Sequence, residues 1–286
     1  RLVMGSVAER VLRGVGVPVL LMRSAPETER QPTPGELLAK SLGNGQGLKV
    51  AVATDGSTHG CHAIDLAADL TGEIEMELTL LVTASVQDGA AHAQKLMTEV
   101  CKSIERLAVR PEVVPLVGYP DEELLQYVAE HDVDLLVTGA FHDKGAGSAM
   151  AIGPTVQRVV QHAPTSVLIT KGQKRAFRRV LACAAVDDLT AVDVAAQFAR
   201  ALGAELHLLH VVPPSAASYL TSEETQAIAL EDAVNQGTRL STAAKEWIDR
   251  LQEQQYGRDA IIIRPGNVPE AILDAAQRGD YDLVVV

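Results

Sequence analysis

Gly118-Tyr-Pro-Asp-Glu-Glu-Leu-Leu125, leading to Asp134-Leu-Leu-Val137, recurs as Gly266-Asn-Val-Pro-Glu-Ala-Ile-Leu273, leading to Asp282-Leu-Val-Val285. The glycine-to-aspartate step, 118 to 134 and 266 to 282, is the same in both copies. Each copy reads as a turn glycine, a helix with acidic residues in its first turn, and a short apolar strand. The register extends to the start of the chain. Gly5, Arg10-Val11 and Val19-Leu20 match Gly153, Arg158-Val159 and Val167-Leu168 at one constant offset. Self-similarity at so long a period points to a repeated domain.

Outward from this motif, residues 48–171 contain the whole pattern without interruption. Leu48–Thr54 is an apolar strand ending in Asp55-Gly56-Ser57, followed by a helix from Thr58 to Leu70. Glu77–Val82, Glu112–Val117, Leu135–Thr138 and Ser166–Thr170 read as further strands. His92–Val109, Asp121–Glu130 and Thr155–His162 read as the helices between them. Strands alternating with helices, and apolar throughout, imply an α/β fold: an open, mostly parallel five-stranded sheet with helices on both faces, here in tandem.

Residues 178–286 repeat the order with strands at Arg179–Val186, Glu205–Val212 and Ala260–Ile263, and a helical insert over Ser222–Glu253. Residues 1–25 read as only a closing helix and strand. On the repeat register Val286 matches Thr138 and Arg1 matches Ala149, so the counterpart of 139–148 is absent. The expectation is therefore that 1–25 complements 178–286 in one domain that lacks its phosphate loop. A three-unit fragment of a longer protein is the rival, and an intact mass near 30.4 kDa would favour it. Residues 26–47, rich in Pro, Gly and polar side chains, read as a linker with a short helix near Glu36–Ser41.

A hydrophobic content of 47% supports real cores and excludes wholesale disorder. The formal net charge of −12 argues against nucleic acid or an anionic membrane as partner. It leaves room for a small anion held by backbone N–H groups. Cys61, Cys101 and Cys183 form no CxxC pair, which fits reduced thiols and a cytoplasmic location. Cys61 with His62 and His59 lacks a second ligand pair at zinc spacing, so no metal site is expected. The apolar runs are strand-length, so no signal peptide or membrane span is expected.

In open α/β sheets, ligands sit at the carboxyl ends of strands where the strand order reverses. In the middle unit these ends are Asp55-Gly56-Ser57, Val82-Thr83, Gly118, and the loop from Gly139 through His142 to Gly153-Pro154-Thr155. A Gly-rich loop entering a helix N-terminus is an anion site in physical terms, because unpaired N–H groups and the helix dipole face it.

Gly5-Ser6-Val7-Ala8-Glu9-Arg10-Val11 with Pro18-Val19-Leu20, Val52-Ala-Thr-Asp55-Gly56-Ser57, Leu80-Leu-Val82 and the repeated Gly-x-x-x-Glu…Asp-Leu-Val together resemble the universal stress protein family. The resemblance covers the chain outside its linkers. It implies tandem or dimeric five-stranded α/β domains that divide into ATP-binding and non-binding groups. Binders carry Gly-x-x-Gly, about nine residues, then Gly-Ser/Thr. By position, the resemblance implies a nucleotide site from Asp55, Val82, Gly118, Gly139, His142, Gly153 and Thr155 in the middle unit. In the composite unit it implies Asp187, Val212, Gly266, Gly5, Ser6 and Val7. The middle unit departs from the pattern. His142 replaces the second glycine, the spacing is one residue longer, and Pro154 removes a backbone donor. The composite unit keeps Gly5-Ser6 and Asp187, but Asp187-Asp188 lacks the Gly-Ser that follows Asp55.

Each motif also has a purely structural reading. Ser6 with Glu9 matches a capping box, Gly153-Pro154 an N-cap with proline in the first turn, and Asp55-Gly56-Ser57 a turn and cap. His142 reads as an exposed loop residue, and His207 or His210 as a polar contact at a sheet edge or in the core. Asp187 and Asp188 are adjacent and should point apart.

The function expected is a tandem, cytosolic stress-response module that binds ATP, with Mg, in at least one domain. It is expected to act as a homodimer or an intramolecular domain pair. The alternatives are a scaffold that dimerises through strand 166–170, or a slow nucleotide hydrolase. No GxxxxGK[ST] loop, GxSxG elbow or paired acid and base is present, so an enzyme is not the expectation.

Overall fold

In the computed structural model the chain divides into two compact units: residues 1–4 with Gly16–Ala176, and Gly5–Val15 with Phe177–Val286. The structure describes residues 5–22, 32–45, 47–84, 96, 98, 100, 104, 109–140, 152–172, 177–213, 230–235 and 237–286.

The first unit has strands β1 (Val19–Leu21), β2 (Leu48–Thr54), β3 (Met76–Ala84), β4 (Glu112–Val117), β5 (Leu135–Gly139) and β6 (Ser166–Thr170). They lie in the order β4-β3-β2-β5-β6-β1. β2 to β6 are mutually parallel, and β1 pairs antiparallel with β6, Leu20 opposite Leu168. The edge of β6 that the scaffold alternative assigns to dimerisation is thus occupied by residues 19–21 of the same chain. Burial follows position. β5 and β6 are buried at every residue, whereas the edge strand β4 alternates with solvent and accommodates Pro115, which has no N–H to donate.

The second unit has β7 (Arg179–Cys183), β8 (Glu205–Val212), β9 (Ile261–Pro265) and β10 (Leu283–Val285), in the order β10-β7-β8-β9 and all parallel. The helix Ser6–Gly14 belongs to this unit and packs on Val268–Arg278. Val11 and Leu12 are fully buried. A Cβ on Gly14 would lie 2.5 Å from Leu273 Cδ2, so glycine permits the close approach.

The repeated motif has a physical basis. Asp134 accepts the Lys49 N–H through Oδ2 (2.9 Å), tying the start of β5 to the start of β2. Asp282 does the same for the Arg178 and Arg179 N–H groups (2.9 and 3.1 Å). The Gly118 N–H donates to Ala84, and the Gly266 N–H to Val212. Arg158 lies 3.9 Å from Glu122, and Arg10 lies 3.9 Å from Glu270.

Several boundaries differ from expectation. The linker helix runs Pro34–Asn44, extended by a capping box in which Thr33 and Glu36 satisfy each other's N–H groups. The strand expected over 179–186 ends at Cys183, because Ala185 and Asp188 bridge back on themselves. Within the 222–253 insert, the described residues form two helices, Leu230–Asn235 and Arg239–Glu253, separated by Gly237 at φ 65°. Of the 92–109 helix, the described residues 96, 98, 100 and 104 are helical, whereas Val109 is a bend.

Candidate nucleotide site

In the first unit the chain departs in opposite directions from β2 and β5, which are neighbours, so their carboxyl ends form the switch point. Thr54 Oγ1 accepts the Gly56 N–H (3.1 Å) and Asp55 Oδ1 accepts the Ser57 N–H (3.0 Å). Ser57 Oγ accepts the Gly60 N–H (3.2 Å) and caps the helix Thr58–Thr71. The turn-and-cap reading of Asp55-Gly56-Ser57 therefore describes this segment. Gly56 sits at φ 72°, a conformation other residues avoid.

Two glycines let the helix lie close on the strand ends. A Cβ on Gly139 would lie 2.5 Å from the His59 carbonyl oxygen, and one on Gly60 would lie 2.5 Å from Thr54 Oγ1. Gly60 escaped the sequence reading. A glycine in the first turn of a helix that follows a strand-end aspartate was the available signal. Val82 is buried at the carboxyl end of β3, beside Thr83, whose hydroxyl donates to the Thr54 carbonyl (3.3 Å). Gly118 closes β4 at the same edge of the sheet.

The loop 139–153 starts and ends at this edge. The Ala140 N–H donates to Thr170 (3.2 Å), and the Gly153 N–H donates to Ala140 (3.1 Å). Gly153 is the N-cap of Pro154–His162, with Pro154 first and half-buried Thr155 second, and no side chain caps the helix. His142 lies outside the described residues.

In the second unit Asp187, Val212 and Gly266 lie at or just beyond the carboxyl ends of β7, β8 and β9. Gly266 has φ 149°. Asp187 is exposed and paired to Arg239 (2.6 Å), whereas Asp188 Oδ1 accepts the Thr190 N–H (2.8 Å). The adjacent carboxylates have separate partners, and it is Asp188 that makes the local bond Asp55 makes in the first unit.

His210 was not read as part of the site. Glu77 pairs with Lys49 and Glu205 with Arg179, and the two pairs are equivalent; counting along β3 and β8 from them, His210 takes the place of Val82. It is buried, its Nδ1 is 2.8 Å from the Ala184 carbonyl, and its ring lies 5.0 Å from that of Trp247. Burial lowers its pKa, partly offset by that carbonyl. His207 is half-buried, 3.4 Å from Glu205, and its pKa is also lowered, chiefly by burial.

Gly5 caps the helix Ser6–Gly14, again with no side-chain cap; Ser6 is its first residue, and Val7 is half-buried. The Ser6–Glu9 capping box does not form. Ser6 lies inside the helix rather than at its N-cap, and the Glu9 carboxylate accepts from Arg13 instead (2.9 Å).

Among the described residues no group of three His, Cys, Asp or Glu side chains is placed to hold a metal; the His59 and His62 rings are 5.9 Å apart. No described helix is long and apolar enough to cross a membrane.

Comparison with known proteins agrees with this architecture. A universal stress protein of Methanocaldococcus jannaschii is 24% identical over 157 residues, spanning 49% of this chain and 92% of the relative. The crystal structure of a universal stress protein from Archaeoglobus fulgidus superposes with a TM-score of 0.60 at 16% identity, over 82% of this chain and 85% of that one. A universal stress protein structure from Pseudomonas aeruginosa gives 0.59 at 18% identity, over 84% and 82%. At such identities these two structures speak to the fold alone. The model of the universal stress protein family matches residues 48–171 and 176–286. The chain belongs to the universal stress protein family.

Proposed function

We propose that this chain is a regulatory module that binds an adenine nucleotide, ATP with Mg as its counter-ion, at the carboxyl edge of at least one unit. The observation that carries the reading is the pair of glycine-capped helices. Gly153 and Gly5 begin helices that receive no side-chain cap, as do Tyr119 and Leu189, whereas Ser57, Thr238 and Asn267 cap theirs; the glycines also bring no side chain of their own to the helix start. A helix start without a side-chain acceptor leaves its N–H groups and positive dipole end for an anion. In the first unit the Gly153 N–H donates to Ala140, just past the carboxyl end of β5 and beside the strand switch, where a nucleoside would lie. The family resemblance adds ATP as the anion.

On this reading the helix Ser6–Gly14, which belongs to the second unit, presents Gly5 to that unit. The test is to denature the purified protein and quantify released nucleotide per chain by chromatography with mass detection. About one adenine nucleotide per chain is expected for one competent unit. No nucleotide released, and none taken up from millimolar ATP, would overturn the reading for both units.

A further inference from the structure

We propose that His210 reads the base of the nucleotide in the second unit, its Nε2 accepting a hydrogen bond from the exocyclic amine of adenine. The inference rests on the nucleotide reading above and adds to it a specificity residue that the first unit lacks. His210 stands near the carboxyl end of β8, in register with Ile263 of β9. Just beyond it the Gly266 N–H closes that edge on the Val212 carbonyl. β8 lies next to β7, whose other neighbour is β10, so the edge above His210 adjoins the place where the strand order reverses.

The two ring nitrogens have different tasks. Nδ1 lies 2.8 Å from the Ala184 carbonyl, an oxygen that can only accept, so Nδ1 carries the proton. Burial lowers the pKa and keeps the ring neutral. Nε2 therefore holds a lone pair, fixed as an acceptor, on a side chain only 8% exposed, and it has no partner among the described residues. The indole of Trp247, 5.0 Å away and tilted by 42°, is fully buried, and its Nε1 likewise has no partner. An acceptor and a donor thus lie on adjacent buried rings with their hydrogen bonds unmade, which is costly until a bound molecule meets them.

A nucleobase fits this chemistry better than a ribose or a phosphate does. Leu208 and Val212, which share the His210 face of β8, are buried, and Trp247 packs against the same ring. Such an apolar, aromatic wall suits a flat heterocycle. Adenine presents an amine donor beside a ring nitrogen that accepts, the complement of Nε2 and the indole N–H. At the matched place the first unit has Val82, whose side chain carries no polar atom, so selection by this route belongs to the second unit.

The test is binding of ATP and of purine riboside triphosphate, which lacks the 6-amine, to the full chain, wild type and H210F. Fluorescence of Trp247, the single tryptophan, reports the second unit, and equilibrium dialysis counts all nucleotide bound. In the wild type ATP should shift Trp247 emission and, by that signal, bind about tenfold more tightly than the analogue, the scale of one hydrogen bond to a buried acceptor. H210F should bind the two about equally. Equal wild-type affinities overturn the proposal whatever the variant does, as does a preference for ATP that survives in H210F. ATP retained on dialysis without any change in Trp247 emission also overturns it, while leaving the nucleotide reading to the first unit. No nucleotide retained on dialysis strikes that reading itself, and this proposal falls with it.

Discussion

Gly5 and Gly153 cap their helices in the same backbone conformation, φ −64° and ψ 150° against φ −62° and ψ 150°. They are matched positions of the repeat, and neither helix receives a side-chain cap. Nothing lies within 4 Å of where a Cβ on Gly5 would sit, so sterics do not require glycine there. An aspartate at Gly5 should therefore cap the helix, which stabilises it by a few tenths of a kcal/mol relative to glycine. The same carboxylate would repel an anion from the helix start. Gly5→Asp is thus expected to raise the unfolding midpoint slightly while lowering nucleotide affinity in the second unit. Parallel denaturation and titration check this; affinity that is unchanged or higher contradicts it.

The helix Ser6–Gly14 should be a structural part of the second unit despite its distance in sequence. Leu12 is fully buried, so Leu12→Ala should cost about 2–5 kcal/mol, the transfer and cavity terms together. Trp247, the single tryptophan, is buried in the second unit and reports its unfolding. A urea titration followed by Trp247 fluorescence should show the full loss. An unchanged transition would detach the opening helix from this unit.

Gly139 serves packing whether or not nucleotide binds. Its Cβ would lie 2.5 Å from the His59 carbonyl, a backbone atom that cannot easily move aside. Gly139→Ala should destabilise the first unit by about 1–3 kcal/mol through overpacking. Calorimetric melting without nucleotide measures this; wild-type stability in the variant would contradict the close approach.

Burial lowers the pKa of both His207 and His210, so the fold favours their neutral forms. The unfolded chain binds protons near pH 6.5, the folded chain only at lower pH. Stability from this source is present above pH 6.5 and is lost as pH falls below it. The urea midpoint read by Trp247 fluorescence should be lower at pH 5.5 than at pH 7.5. A midpoint that rises on acidification would contradict the neutral, buried histidines.

The α/β class, strand–helix alternation and the repeat were legible because fully buried parallel strands leave unbroken apolar runs, and because Asp134 and Asp282 do identical work. The match between Asp55 and Asp187 was harder to read. Counted from Lys49 and Arg179, whose N–H groups Asp134 and Asp282 hold, Asp55 falls on Ala185. Counted back from the helix starts Thr58 and Thr190, it falls on Asp187. The second loop is longer between two fixed ends, and apolar periodicity carries no information about such an insertion. His210 was hidden for a related reason, since its equivalence to Val82 depends on strand register rather than on local pattern. Ser6–Glu9 fitted a capping box by spacing, yet the helix begins one residue earlier than that box requires.

The most direct measurement is photo-crosslinking with azido-ATP in the presence of Mg, followed by peptide mapping. The account predicts labelled peptides containing Asp55 or Gly118 for the first unit, or Asp187 or Gly266 for the second, with labelling suppressed by excess ATP. Label confined to peptides remote from the carboxyl ends of the strands, or no label that ATP suppresses, would contradict it.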